Sequence, residues 1–290
     1  MLTHWLLATR PKTLSLSVTP LIVGGALAHA GGGGFHLIPW LAALIAALCI
    51  QAGVNLHNDA ADSERGADTP DRLGPRRATA EGWLAAAQVR RGAMACFALA
   101  FLIGLYLAWI GGWPIVALGL ASLAAAYAYS GGPWPIAYSP LGEVFVLLFF
   151  GLAATGGTYY LMTASLTGPA LIAGFIVGLP AAAVLLVNNY RDLDSDRRAG
   201  RHTLAILLDR PAARRLYGLL LLTPLALCPM INPDPLWRWL PLLALPLALS
   251  LIQRLESQPI DSGLNPLLAQ TAQYQLALGL LLVLPLLPRL

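Results

Sequence analysis

Two short windows hold most of the residues in this chain that could do chemistry. One runs Val54-Asn55-Leu56-His57-Asn58-Asp59-Ala60-Ala61-Asp62-Ser63-Glu64-Arg65-Gly66; the other is VNNYRDLDSDRRAG, from Val187 to Gly200. Both contain Asn-x-x-x-Asp, and Asn55/Asn188 and Asp59/Asp192 share one offset of 133 residues. Asp192 and Asp196 are four residues apart, as are Asn58 and Asp62, while Asp59 and Asp62 are three apart. On a helix such spacings put the side chains on one face. Each window can then aim two oxygen ligands in one direction. Mg²⁺ prefers a few carboxylates completed by phosphate oxygens and water over a full protein cage. Two facing clusters of this kind would hold a diphosphate through bridging Mg²⁺.

The elements that must position these windows are apolar. The 290 residues are 57% hydrophobic and 11% charged, against about 25% charged in an ordinary soluble domain. So few charges cannot cover a water-soluble globule, which excludes a soluble enzyme and a nucleic-acid-binding module despite the net charge of +4. The expected fold is all-α: a single polytopic membrane domain over 1–290. Nine spans are expected, at about 13–30, 37–57, 92–111, 113–130, 141–163, 168–190, 214–232, 235–254 and 268–287. The first span carries Arg10 and Lys12 ahead of an apolar run, as a signal peptide does, but Pro20 interrupts it and retention is expected. With the amino terminus inside, 16 of the 18 Lys and Arg residues fall on the cytoplasmic side, together with both acidic windows. Arginine outnumbers lysine 17 to 1, a hint of a bacterial source, so a bacterial cytoplasmic (inner) membrane is expected.

The windows end the second and sixth spans. Two duplicated four-helix units plus one helix, arranged around a central cavity, would bring them face to face. The acids then lie at helix C-termini, where the dipole disfavours each by about several tenths of a kcal/mol and a divalent cation would remove the penalty. Tyr127, Tyr129 and Tyr138 flank Gly131-Gly132-Pro133-Trp134-Pro135, a nearly uncharged loop suited to close as a lid or to sit in the interfacial aromatic belt. Asn55 and Asn188 lie a turn deeper than the aspartates and either orient ligands or acceptor or link helices. His57 reads as a packing residue and Glu143 as a helix N-terminal acid. Cys49, Cys96 and Cys228 stand singly, without a zinc or disulfide pattern. A cation-coupled transporter is the rival reading, but it would place acids at mid-span.

Asn58-Asp59-Ala60-Ala61-Asp62 with Asp192-Leu193-Asp194-Ser195-Asp196 resembles the paired aspartate motifs of the UbiA superfamily of intramembrane aromatic prenyltransferases. Further stretches are similar to its 1,4-dihydroxy-2-naphthoate polyprenyltransferase branch, which serves menaquinone synthesis. They are Arg10-Pro11-Lys12-Thr13-Leu14, GADTPDRLGPRRAT from Gly66, Leu141-Gly142-Glu143 with Phe149-Phe150-Gly151, and NNYRDLDSDRRAGRHTLA from Asn188. Gly66 stands where the wider superfamily has a third aspartate, and His202 where the branch more often has a basic residue. The resemblance implies Mg²⁺-dependent transfer of a polyprenyl group from polyprenyl diphosphate to the naphthoate, with loss of diphosphate and CO₂. It implies Asp59, Asp62, Asp192 and Asp196 as catalytic residues and Asn58, Asp62, Asp192 and Asp196 as metal ligands. Arg10, Lys12, Arg72, Arg191, Arg201, Asn55, Asn188 and Tyr138 are the expected substrate contacts. Another aromatic acceptor, such as 4-hydroxybenzoate, is the alternative. The partners implied are the two substrates and the bilayer, with no nucleic acid and no obligate protein partner.

Overall fold

The computed structural model describes residues 1–66, 73–232 and 234–289. Among them the regular structure is helical throughout. A short α1 (Leu2–Ala8) leads into α2 (Ser15–Ala28), followed by α3 (Leu37–Glu64) and the long α4 (Ala86–Ser130). Then come α5 (Gly142–Leu147) and α6 (Ala154–Thr163), joined by a wide helical turn over Leu148–Ala153, and α7 (Gly168–Arg191). The chain ends with α8 (Leu193–Arg198), α9 (Leu204–Leu227), α10 (Leu245–Ser257) and α11 (Asn265–Val283).

Six described stretches are long and apolar enough to cross a membrane, and the pair Leu2–Thr13 and Ser15–Gly33, bent by 52°, would make a seventh. Length and apolarity thus give fewer crossings than the nine expected, for two reasons. α9 carries Asp209, Arg210, Arg214 and Arg215 in its first half, too many charges for an apolar window. α4 contains two of the expected spans in one run of 45 residues. Straight, that run would extend about 68 Å, more than twice the hydrocarbon thickness of about 30 Å.

α4 does not run straight. Both its ends lie against the C-terminal half of α3: Gly92 backs onto Trp5 and Leu56, and the Ser130 hydroxyl accepts a bond of 3.2 Å from Asn58 Nδ2. The chain doubles back at Gly112, whose φ of 65° and ψ of −157° interrupt the helix. Only glycine enters that region without strain.

The main core sits around α7, where Ile176, Val177, Leu186 and Val187 pack with Leu221, Leu251 and Leu278 of the last helices. Small residues permit close approach both between the halves and within one. A Cβ on Gly24 of α2 would lie 2.5 Å from the Thr155 carbonyl oxygen of α6 in the other half, and one on Gly151 would lie 2.5 Å from the Gly174 carbonyl oxygen within the second half. Close backbone contact of this kind is how helices associate where lipid removes the hydrophobic drive.

Gly112→Val should destabilise the protein by about 1–3 kcal/mol. Gly104→Ala, at a helical glycine with open space around it, should be neutral or slightly stabilising. Thermal unfolding in detergent separates the two, and an unchanged midpoint for Gly112→Val would remove the hairpin's conformational requirement.

Candidate active site between the two halves

The two acidic windows meet at one guanidinium. Asp62, on the last turns of α3, has no exposed surface. Its Oδ2 lies 2.9 Å from Arg201 Nη2, while Arg201 Nη1 lies 3.2 Å from Asp196 Oδ1. A second arginine, Arg77, approaches Asp62 Oδ2 to 2.7 Å and donates through Nη2 to Asn58 Oδ1 at 3.2 Å. Arg10 Nη2 donates to the same Asn58 oxygen at 3.2 Å. Burial works against the charge on Arg201, but the Asp62 and Asp196 carboxylates outweigh it and hold its pKa above the ordinary guanidinium value. Arg10 reaches the site from a left-handed backbone, φ 54°, which a non-glycine residue adopts only under constraint.

In the second window α7 stops at Arg191 and α8 starts at Leu193, so Asp192 and Asp196 do not share one unbroken helix. The Asp196 N–H still donates to the Asp192 carbonyl at 2.8 Å, which keeps the two side chains one turn apart. Arg191, 1% exposed, forks onto Asp192 through Nε and Nη2 at 2.7 and 2.5 Å. It also donates to Asn188 Oδ1 at 2.9 Å and Asn265 Oδ1 at 2.6 Å. Asn265 Nδ2 donates in turn to the Leu73 carbonyl at 3.0 Å, tying this half to the loop that follows α3.

The contacts align the windows one residue away from the expected register, at an offset of 134. Asn58 then matches Asp192, and Asp62 matches Asp196, the pair bridged by Arg201. Asn55 Nδ2 donates to the Thr9 carbonyl at 2.9 Å and Asn189 Nδ2 to Glu143 Oε1 at 2.9 Å; both donors and both acceptors are 134 apart. Gly24 and Thr158, again 134 apart, touch each other. The 133 register rested on Asn188, which instead accepts from Arg191, and on Asp59. Asp59 turns away from the other acids: its Oδ2 accepts from the Ala78 N–H at 2.9 Å and its Oδ1 from the Thr79 hydroxyl.

A cavity of about 1150 Å³ opens beside these charges. Arg10, Lys12, Arg77, Asn58, Arg191, Asp192 and Arg201 line its polar end, with Asn55, Asn188 and Asn189 behind them. Leu107, Ile115, Phe149, Phe150 and Leu161 line its apolar depth. Tyr138 covers the polar end. Its hydroxyl donates to Asp62 Oδ1 at 3.3 Å, and its ring takes the guanidinium of Arg201 at 4.5 Å and that of Arg65 at 5.3 Å. The loop between α4 and α5 is tied to the first window and to the segment just beyond the second, since Arg65 Nη1 donates to the Ser130 carbonyl and the His202 N–H to the Tyr138 carbonyl. His57 faces elsewhere, stacked on Tyr127.

Of the expected contacts, the structure thus gathers Arg10, Lys12, Arg191, Arg201, Asn55, Asn188 and Tyr138; Arg72 lies outside the described residues. Arg77, Arg65, Asn189 and Asn265 join them without having been expected. Arg76 and Arg77 are adjacent, and only folding tells them apart: Arg76 is exposed beside Glu81, Arg77 buried on Asp62. Among the described residues no three acids, histidines or cysteines converge as a metal cage. The all-oxygen set of Asn58, Asp62, Asp192 and Asp196 fits a hard cation that takes its remaining ligands from phosphate and water.

The chain belongs to the UbiA prenyltransferase family, whose model matches residues 17–262. It is 36% identical to the 1,4-dihydroxy-2-naphthoate octaprenyltransferase of Escherichia coli (strain K12), over 97% of this chain and 94% of that protein. The protein of the same name from Haemophilus influenzae is 34% identical, over 98% and 95%. A solved UbiA homologue from Archaeoglobus fulgidus, bound to DMAPP and Mg²⁺, shares the fold with a TM-score of 0.65 at 15% identity, over 97% of this chain and 99% of that one. The protein is a multi-pass membrane protein of that fold.

Arg191→Met leaves the Asp192 carboxylate buried without its forked partner and should cost about 3–5 kcal/mol. Adding Asp192→Asn should recover part of the loss. Chemical unfolding in micelles reads both, and equal losses in the single and double variants would disprove the coupling.

Proposed function

We propose that the protein transfers a polyprenyl group from polyprenyl diphosphate to 1,4-dihydroxy-2-naphthoate, giving demethylmenaquinol, diphosphate and CO₂. The observation that carries this reading is the meeting of Asp62 and Asp196 at Arg201, which itself lines the polar end of a cavity whose depth is apolar. The names of the two bacterial relatives support the naphthoate as acceptor. In the reaction the allylic carbon–oxygen bond breaks with its electrons going to the diphosphate. A ring carbon of the acceptor bonds to the allylic carbon, and the acceptor's carboxylate leaves as CO₂.

Magnesium would supply Lewis-acid neutralisation of the departing diphosphate, and Asn58, Asp62, Asp192 and Asp196 are the residues proposed to hold it. The Mg²⁺ and DMAPP bound by the Archaeoglobus fulgidus homologue support Mg²⁺ as the ion. Arg10, Lys12, Arg77, Arg191 and Arg201 bind the diphosphate oxygens; a guanidinium suits bidentate contact, and the carboxylates already orient three of these groups. Tyr138 and its loop exclude water from the reacting carbon, which protects an allylic cation from capture. Phe149, Phe150 and Leu161 offer apolar surface to the chain, and Asn55 and Asn188 lie where the acceptor's polar groups would come. We place the protein in the bacterial cytoplasmic membrane with this rim inside, from the distribution of its arginines.

Purified protein with Mg²⁺ and an allylic diphosphate should prenylate the naphthoate and leave 4-hydroxybenzoate unreacted; product from the benzoate alone would reassign the acceptor. Asp62→Asn and Asp192→Asn should each lower turnover at least about 100-fold in protein that still folds, with lower unfolding midpoints because Arg77 and Arg201, or Arg191, lose a buried counter-charge. Full turnover in both would overturn the metal site. Chelation should stop the reaction and added Mg²⁺ restore it.

A further inference from the structure

Asp59 sits between Asn58 and Asp62 in sequence yet serves a different partner. On the helix Asp59 lies about 100° from Asn58 and about 60° from Asp62, and its carboxylate turns to partners that neither of them shares. It is 2% exposed, and the contacts of its carboxylate run to two consecutive residues of the loop after α3. The Ala78 N–H donates to Oδ2 at 2.9 Å, the Thr79 N–H to Oδ1 at 3.4 Å, and the Thr79 hydroxyl to Oδ1. A carboxylate is an acceptor-only group and suits three converging donors. Directly before Ala78 stands Arg77, whose guanidinium contacts Asp62 at 2.7 Å and Asn58 at 3.2 Å.

The two halves differ at this point. Arg191, the arginine of the second window, sits on α7 itself, one residue from Asp192. Arg77, the arginine of the first, arrives from a loop and requires an anchor. At the offset of 134 the counterpart of Asp59 is Leu193, a buried apolar residue. Among the described residues, the position that matches Asp59 in the second half therefore offers no carboxylate anchor.

We propose that Asp59 is a positioning residue: it pins Ala78 and Thr79 so that Arg77 is held at Asn58 and Asp62. This rests on the proposed function in one respect, that Asn58 and Asp62 mark the diphosphate end of the site. The consequence is that Thr79, which touches none of the other acids in its contacts with Asp59, governs the affinity for the diphosphate substrate.

The test compares Asp59→Asn, Thr79→Val and Thr79→Ser in the full chain in nanodiscs. Without substrates, amide exchange over residues 77–80 should be slow in wild type. It should quicken about tenfold or more in Asp59→Asn, whose amide turns a donor toward donors, and by a smaller factor in Thr79→Val. In turnover, KM for the allylic diphosphate should rise about tenfold in both variants, equivalent to about 1.4 kcal/mol. KM for the acceptor and the Mg²⁺ concentration for half-activity should stay within about twofold, and Thr79→Ser should restore wild-type values in every readout. A changed Mg²⁺ dependence in Asp59→Asn with normal behaviour in Thr79→Val would make Asp59 a metal ligand and overturn the proposal. Faster exchange with an unchanged diphosphate KM would overturn it as well, leaving Asp59 a loop contact only. Exchange needs no turnover, so failure of the acceptor assignment leaves that readout intact.

Discussion

The structure depends on keeping a few ionic groups charged at the edge of an apolar bundle. Moving a single carboxylate out of water costs several kcal/mol even after relaxation, and the cost is met only by a well-placed counter-charge. Asp62, with no exposed surface, is matched by Arg77 and Arg201, and Asp192 by Arg191. These pairs are weak evidence for stability, because an apolar replacement of the whole set would fold as well or better. Their retention at the mouth of a cavity is better explained by use. In the proposed reaction these groups would divide their roles, acids to the metal and arginines to the phosphate oxygens.

Pseudo-symmetry makes this economical and also explains where it breaks. At an offset of 134, two amides brace the starts of their own halves, Asn55 to Thr9 and Asn189 to Glu143, and two acids end on one bridging arginine. The same skeleton built twice places two half-sites opposite each other without a dedicated scaffold. Departures from the repeat carry the specialised tasks. The first half draws Arg77 from a loop fastened by Asp59; the second has Arg191 on the helix, sends Arg201 from a loop to the bridge, and closes onto the first through Asn265 and the Leu73 carbonyl.

Much of this was legible in the sequence. The all-helical membrane fold follows from hydropathy, and spacing and family resemblance single out Asn58, Asp62, Asp192, Asp196, Arg191 and Arg201, which the fold brings to one region. The sequence register differs from the contacts by one residue because Asn188-Asn189 offers two ways to match Asn55, and identical letters favour the pairing that the contacts do not use. Arg77 went unseen because hydropathy treats adjacent rim arginines alike, and burial of one but not the other depends on a turn whose ends meet α3. The glycines, prolines and tyrosines after α4 fit either a lid or an interfacial belt, and the loop's attachment through Arg65 and His202 joins residues far apart in the chain.

What the sequence determined by itself was solvent and composition: which stretches belong in lipid, which rim collects the charge, and which residue types are present to bind a diphosphate. These are properties of local chemistry, since transfer free energy and helical spacing act over a few turns. Tertiary structure decided the partnerships. A helix fixes the face an acid presents but not what stands opposite, and Asp59 and Asp62, on neighbouring turns of α3, went to different partners because different elements packed against their two faces. One fastens a loop and the other meets its pseudo-repeat. The physical reason is that ion pairing in a low-dielectric interior is set by distances of about 3 Å, and those are settled only when distant segments come together.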